Sequence, residues 1–184
     1  MKIIGISGSP RKGNTEWMVK RSLEAAKEAD AETKLVLLRE MKIDPCDGCL
    51  SCEDTGQCHL NDDVQPLYPE LLASEGLILG TPVHFDGVTC HLKNFIDRTN
   101  PICEKLKGKR VGVIVVGQLK GSEGKKSRKR VIDYLKAVCD ILGMEMVGVV
   151  EGTARGVVEI SKHKNVERKC IMLGRNIASG RARK

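Results

Sequence analysis

The apolar positions of this chain follow two rhythms. Short apolar runs that read as strands occur at Lys2–Ser7, Thr33–Arg39, Gly76–Gly80, Arg110–Val116 and Met144–Val150. Between them the apolar residues recur at helical spacing: Met18, Val19, Leu23 and Ala26 after the first run, Val64–Ser74 after the second, and Cys90–Arg98 after the third, with Leu92, Phe95 and Ile96 inward. Ser127–Leu142 reads as a fourth helix, stopped by Gly143, and Val166–Ile177 as the last. Arg110–Val116 is almost all Val, Ile and Gly, as expected of a strand covered on both faces. Strand–helix alternation with right-handed crossovers implies an open parallel sheet. The pattern predicts one α/β domain over 1–184: a doubly wound five-stranded parallel sheet, order 2-1-3-4-5, with helices on both faces. A cysteine-rich loop at 44–62 and a basic tail at 179–184 complete it.

Composition narrows the setting. The chain has 184 residues, 41% of them hydrophobic, enough for one sizeable core. No apolar run is long enough to cross a membrane. The opening Met1–Ile6 is too short and too interrupted for a secretory leader. The eight cysteines are therefore expected in a reducing cytoplasm, where clustering points to metal or redox work. A net charge of +7 could suit nucleic acid, an anionic membrane face or an acidic protein. Aromatic residues make up only 3%, and no zinc-finger, RNP or helix-turn-helix signature is present. The expectation is a scattered basic surface with no nucleic-acid and no membrane partner.

Two stretches carry chemistry. Cys46, Cys49, Cys52 and Cys58 are spaced C-x2-C-x2-C-x5-C, with Gly48 and Gly56 letting the backbone curl. Thiolates converging from one loop suit an iron–sulfur cluster or zinc. Zinc ribbons usually join two separated C-x2-C pairs, whereas the compact run is closer to the cubane pattern. A thiol/disulfide pair and thiols that merely pack stay open as further readings. The second stretch is Gly8-Ser9-Pro10-Arg11-Lys12-Gly13-Asn14-Thr15, between the first strand and the first helix. Its backbone N–H groups, its hydroxyls and the helix N-terminus all favour a phosphate. Gly5, Gly8 and Gly13 miss the dinucleotide spacing, and Asn14 stands where a Walker motif has lysine. A single phosphomonoester fits better, with Ser7, Ser9, Arg11, Asn14 and Thr15 as donors; a plain turn capped by Asn14 or Thr15 is the bland alternative.

The loop Thr81-Pro82-Val83-His84-Phe85-Asp86-Gly87-Val88 follows the third strand and suits the edge of a flat ring. Loops after strands one and three share one crevice in the 2-1-3-4-5 order, and the cysteine loop leaves the same edge. Asp62 and Asp63 read as helix caps, and Asp97-Arg98 as a helix-end ion pair. Lys125-Lys126-Ser127-Arg128-Lys129-Arg130 lies where the fourth helix is expected to begin, against its dipole. That placement favours an anionic partner: the 2′-phosphate of NADPH or an acidic ferredoxin. Cys90, Cys103, Cys139 and Cys170 read as ordinary buried small residues.

These blocks, with Leu92-Lys93-Asn94-Phe95-Ile96-Asp97-Arg98 behind the third loop, resemble the iron–sulfur flavoproteins within the NADPH-dependent FMN reductase family, flavodoxin-like in fold. The resemblance implies FMN with its phosphate on Ser9, Arg11, Asn14 and Thr15 and its ring against Thr81, Pro82, Val83, His84 and Phe85. Gln118 is a further contact. It implies a [4Fe–4S] cluster on Cys46, Cys49, Cys52 and Cys58, no catalytic side chain beyond these, and a homodimer or homotetramer. Two departures stand out. His84-Phe85 replaces the usual Tyr-Phe pair, and Gln118–Gly124 is less glycine-dense than in many relatives. The implied activity is electron transfer between a ferredoxin-type donor or NAD(P)H and a small acceptor such as a quinone, oxygen or peroxide. Its rivals are a cluster-free NAD(P)H-dependent FMN or quinone reductase and a zinc-stabilised binding module without turnover.

Overall fold

The computed structural model describes residues 1–179. Five strands form one parallel sheet in the order β2-β1-β3-β4-β5, as the alternation predicts. In chain order the elements are β1 (Lys2–Ser7), α1 (Asn14–Lys27), β2 (Glu32–Leu37), α2 (Ser51–Thr55), α3 (Tyr68–Ala73), β3 (Gly76–Pro82), α4 (Cys90–Asp97), β4 (Arg110–Gly117), α5 (Gly121–Ile141), β5 (Glu145–Thr153) and α6 (Lys164–Ser179).

Side-chain alternation sends each strand into two cores. On β1, Ile4 and Ile6 join Leu71, Leu92, Phe95, Val131 and Leu135, beneath α3, α4 and α5. Ile3 joins Met18, Val19, Leu23, Leu173 and Ile177, beneath α1 and α6. On β4, Val111, Val113 and Val115 face the first core, while Ile114 and Val116 face the second. Each fully buried Val or Ile contributes roughly 1.5–3 kcal/mol. The doubly apolar β4 is thus the spine that fixes the register of its neighbours. No described helix is long and apolar enough to cross a membrane.

Several boundaries differ from the sequence expectation. β2 ends at Leu37, and Leu38–Glu40 turns into a 3₁₀ segment. The expected helix Val64–Ser74 is split into a 3₁₀ turn at Gln65–Leu67 and α3, because Pro66 and Pro69 each remove a backbone donor. α5 starts at Gly121, well before Ser127. Gly124 is the reason: a Cβ there would lie 1.9 Å from the Leu119 carbonyl oxygen, so only glycine lets the first turn close on the preceding loop. The last strand runs on to Thr153. Ser179 is the final residue of α6 rather than the start of a tail; the rest of the expected basic tail, 180–184, lies outside the described residues.

The early start of α5 also corrects the reading of the basic run. The first turn carries Glu123, and the cations lie further along. Arg128 is buried, donating from Nε to Glu151 at 2.9 Å and from Nη1 to the Leu119 carbonyl at 3.1 Å. Arg130 pairs with Asp86 at 2.5 Å, Lys129 with Asp133 at 2.6 Å and Lys126 with Glu123 at 3.2 Å. The run is mostly spent within the fold, and the dipole argument for an anionic partner there falls.

Candidate functional site

Three loops leave the carboxyl edge of the sheet side by side. Gly8 N–H donates to the Gly80 carbonyl at 2.8 Å, which ties the first loop to the end of β3. Thr89 caps α4, its Oγ1 accepting from Leu92 N–H at 3.2 Å and donating to the Gly8 carbonyl at 2.6 Å. The chain passes so close that a Cβ on Gly8 would come within 2.7 Å of Leu92 Cβ. Within the loop, Ser9 Oγ donates to the Arg11 carbonyl at 2.7 Å.

These loops enclose a cavity of about 300 Å³. Its floor is Ser9, Arg11, Gly13, Asn14 and Thr15 at the N-terminus of α1; Pro82, Val83 and His84 form one wall, and Val116, Gln118 and Ala154 the other. A second cavity of about 390 Å³ adjoins it, sharing Val83, His84 and Gln118 and reaching Phe85, Asp86, Leu119 and Ser127. Glu16, in the first turn of α1, is occupied by Lys20 at 2.7 Å and Arg39 at 2.7 Å. Burial alone would raise its pKa, but these two cations outweigh it and hold the group below its ordinary value. The first turn of α1 therefore presents N–H groups without an uncompensated carboxylate. The exposed Arg11 has no carboxylate partner among the described residues.

The structure thus gathers Ser9, Arg11, Asn14, Thr15, Pro82, Val83, His84 and Gln118 around one space. Three expected residues stand elsewhere. Ser7 is wholly buried behind the loop, its Oγ without a hydrogen-bond partner. Thr81 is buried too, its Oγ1 accepting from Thr89 N–H at 3.3 Å and so shaping the third loop from behind. Phe85 projects into solvent at the tip of a turn closed by reciprocal bonds between His84 and Gly87, 3.0 and 2.9 Å. Asn14 has a different task from the expected one. Its Nδ2 donates to the Gly156 carbonyl at 2.7 Å and its Oδ1 accepts from Ile160 N–H at 2.9 Å, so its side chain ties the first turn of α1 to the segment after β5. Val116 and Ala154 line the cavity without having been singled out in the sequence. The rule that ligands gather at carboxyl ends of strands would have pointed to Ala154, just past β5.

The cavity fits a mononucleotide. A helix N-terminus, the Ser9 hydroxyl and an arginine without a carboxylate partner among the described residues meet at one end, and apolar side chains flank the other.

The cysteine loop leaves β2 on the same edge. Cys46 and Cys49 are exposed, Cys52 and Cys58 half-buried, and all four are free thiols. Asn100 Nδ2 donates to Cys52 Sγ at 3.1 Å, and Ser51 Oγ lies 3.2 Å from Cys49 Sγ. Among the described residues, the group of ligand atoms that fits around one ion is Asp47, Cys49 and His59, within 4.8 Å of one another. No three of the four sulfurs meet that closely. A tetrahedral zinc with Zn–S near ~2.3 Å would need them closer than that.

The sequence misread what holds this loop. Asp62 does more than cap, and Arg98 does not pair with Asp97, which binds Lys93 at 2.6 Å. Arg98 pairs with Asp62 inside the protein, their side chains 1% and 0% exposed. Burial would raise the Asp62 pKa, but the guanidinium and the Asp44 and Val64 N–H groups keep it below its usual value. Cys139 and Cys170 are buried as expected, whereas Cys90 is exposed and Cys103 half-buried.

A family model described as NADPH-dependent FMN reductase matches residues 1–153. An iron–sulfur flavoprotein of Methanocaldococcus jannaschii is 42% identical over 120 residues, 64% of this chain and 62% of the relative's own length. An iron–sulfur flavoprotein of Archaeoglobus fulgidus is 34% identical over 181 residues, 97% of this chain and 79% of its own length. Among solved structures, an NAD(P)H:quinone oxidoreductase from Methanothermobacter marburgensis superposes with a TM-score of 0.75 at 14% identity, covering 96% of each chain. That likeness is one of fold.

Proposed function

The chain belongs to the NADPH-dependent FMN reductase family, and from that premise we propose that it is a flavin-dependent oxidoreductase carrying FMN in the cradle and a [4Fe–4S] cluster on Cys46, Cys49, Cys52 and Cys58. It passes electrons between a ferredoxin-type donor or NAD(P)H and a small acceptor, a quinone, oxygen or peroxide, as a homodimer or homotetramer. Bound FMN supplies one- or two-electron transfer and the cluster single-electron transfer.

The observation that carries the reading is α4. Its N-terminal cap binds the first loop of the cradle through Thr89 and Gly8, while its C-terminal Arg98 binds the cysteine loop. Eight residues separate the two ends, about 12 Å of helix. Cradle and thiol loop are thus attached to one short rigid element. The relatives' name, iron–sulfur flavoprotein, supports the cluster.

The chain's own groups then have defined work. Backbone N–H groups of the first turn of α1, with Arg11, hold a phosphate dianion. Pro82 and Val83 give a flat apolar wall that excludes water, and His84, exposed at the mouth of both cavities, presents a hydrogen-bonding edge to whatever binds beside it. Asn100 and Arg98 lend positive or N–H character to the thiolate side.

Anaerobic purification followed by an absorption spectrum with iron and acid-labile sulfide analysis tests this. Wild type should contain flavin, iron and sulfide, and Cys49→Ser should lose iron while keeping FMN. Flavin bands alone, without sulfide, would overturn the cluster in favour of a cluster-free reductase.

A further inference from the structure

Residues 44–62 form a long loop with almost no core of its own. Asp62 is its sole buried residue, and its only regular element is the five-residue α2. Such a loop needs another source of order. Both of its ends converge on one side chain. Arg98 Nη1 donates to the Asp44 carbonyl at 2.8 Å, and Nη2 to the Leu60 carbonyl at 3.1 Å. The same two nitrogens fork onto Asp62, with Nη2 to Oδ1 at 3.1 Å. Asp62 in turn accepts from Asp44 N–H at 2.9 Å and Val64 N–H at 3.1 Å. Gln65 Nε2 adds bonds to the Cys58 and Leu60 carbonyls, 2.5 and 2.8 Å. Tyr68 OH donates to the Arg98 carbonyl at 2.5 Å, fixing the arginine backbone.

Burying an ion pair this completely gains little stability over an apolar pair. Its use lies in geometry. One detail points outward: Arg98 Nε is buried with no hydrogen-bond partner, and the Cys58 side chain lies beside the same guanidinium. We infer that Arg98 is the positioning residue of the thiol loop: its fork on Asp62, Asp44 and Leu60 clamps both ends of the loop together, and its desolvated charge stands beside the Cys58 sulfur. The first half concerns the protein alone; the second rests on the reading of the cysteines as cluster ligands. A fixed cation beside a cluster favours the state with one more electron, so it raises the reduction potential.

Arg98→Lys keeps the charge and loses the fork, while Arg98→Gln loses both. In iron-free full-length protein, both variants should let iodoacetamide alkylate Cys58 about tenfold faster or more, as local opening by ~1.4 kcal/mol would give. FMN binding, in a cavity that Arg98 does not line, reports that the variants are folded. After cluster reconstitution, the cluster's midpoint potential should fall in Arg98→Gln and stay nearer wild type in Arg98→Lys, a difference that a purely structural role would not produce. Asp62→Asn carries the same alkylation prediction should the arginine variants fail to fold. Unchanged Cys58 alkylation in the variants overturns the clamp. Equal potentials in the Lys and Gln variants overturn the charge role. A wild type that takes up no iron or sulfide overturns the cluster reading, while the alkylation comparison still decides the clamp.

Discussion

Phe85 is a large apolar side chain with nothing to pack on. Its φ is +46° and that of Asp86 is +61°, two consecutive left-handed residues at the tip of a hairpin-like turn. The turn is held from outside, since Asp86 accepts from Ser127 Oγ and pairs with Arg130. A non-glycine residue pays about 1 kcal/mol in that region, and the exposed ring recovers none of it. Phe85→Gly should therefore raise the melting temperature by roughly 2–4 °C in a chain of this size; a lower value would mean that the ring makes a stabilising contact in solution. The thiols give a second prediction. Burial pushes Cys139 up to about 11 and Cys170 up to about 12. Since the thiolate is the nucleophile, these two should resist alkylation at pH 8 until the protein is unfolded, whereas exposed Cys90 should react in the native state. Peptide mass spectrometry reads each site separately. Burial at this scale was only half legible: a cysteine at helical spacing looks the same in sequence whether its face meets the sheet or the rim.

At the scale of elements, α4 and its two attachments decide whether the candidate sites can form. Gly8→Ala places a carbon 2.7 Å from Leu92 Cβ and 3.1 Å from Thr89 Oγ1, so the cap and the first loop must separate. The expected outcome is a loss of FMN affinity of about tenfold or more, corresponding to ~1.4 kcal/mol, measured by flavin fluorescence titration. At the far end, Tyr68 is pushed up from 10.0 to about 12, chiefly by burial. A phenol whose folded pKa is raised stabilises fully below its unfolded value and loses that contribution as pH climbs from about 10 to about 12. Stability measured against pH should therefore drop more steeply over that window in wild type than in Tyr68→Phe. The strands and most helices were readable because their apolar periods are local. The start of α5 was not, since the glycines of 117–124 resemble a loop until Gly124 is seen packed on the Leu119 carbonyl. Nor was the clamp: Arg98 lies 36 residues from Asp62, and its neighbour Asp97 offered a nearer false partner.

For the whole molecule, the sheet and the thiol loop have separate sources of stability. Both cores lie between strands and helices, and residues 46–58 contribute nothing to either. The cradle, by contrast, is made by the carboxyl ends of β1, β3, β4 and β5 themselves, with Val116 belonging both to the second core and to the cavity wall. A ligand there is bound by the cooperative unit, and one on the thiol loop is bound by a locally ordered appendage. FMN at about a hundredfold excess over its dissociation constant should stabilise the fold by ~2.7 kcal/mol, which for a chain of this length is roughly 5–11 °C in melting temperature. Removing iron with a chelator should instead leave the main transition near its starting temperature while chymotrypsin cuts after Leu50 and Leu60 become faster. Calorimetry and timed proteolysis on the same sample separate the two. A main transition that falls with iron as far as it falls with FMN would show that the thiol loop folds as part of the sheet, and the Arg98–Asp62 clamp would then be a strut of the core instead of the tie that orders an appended loop.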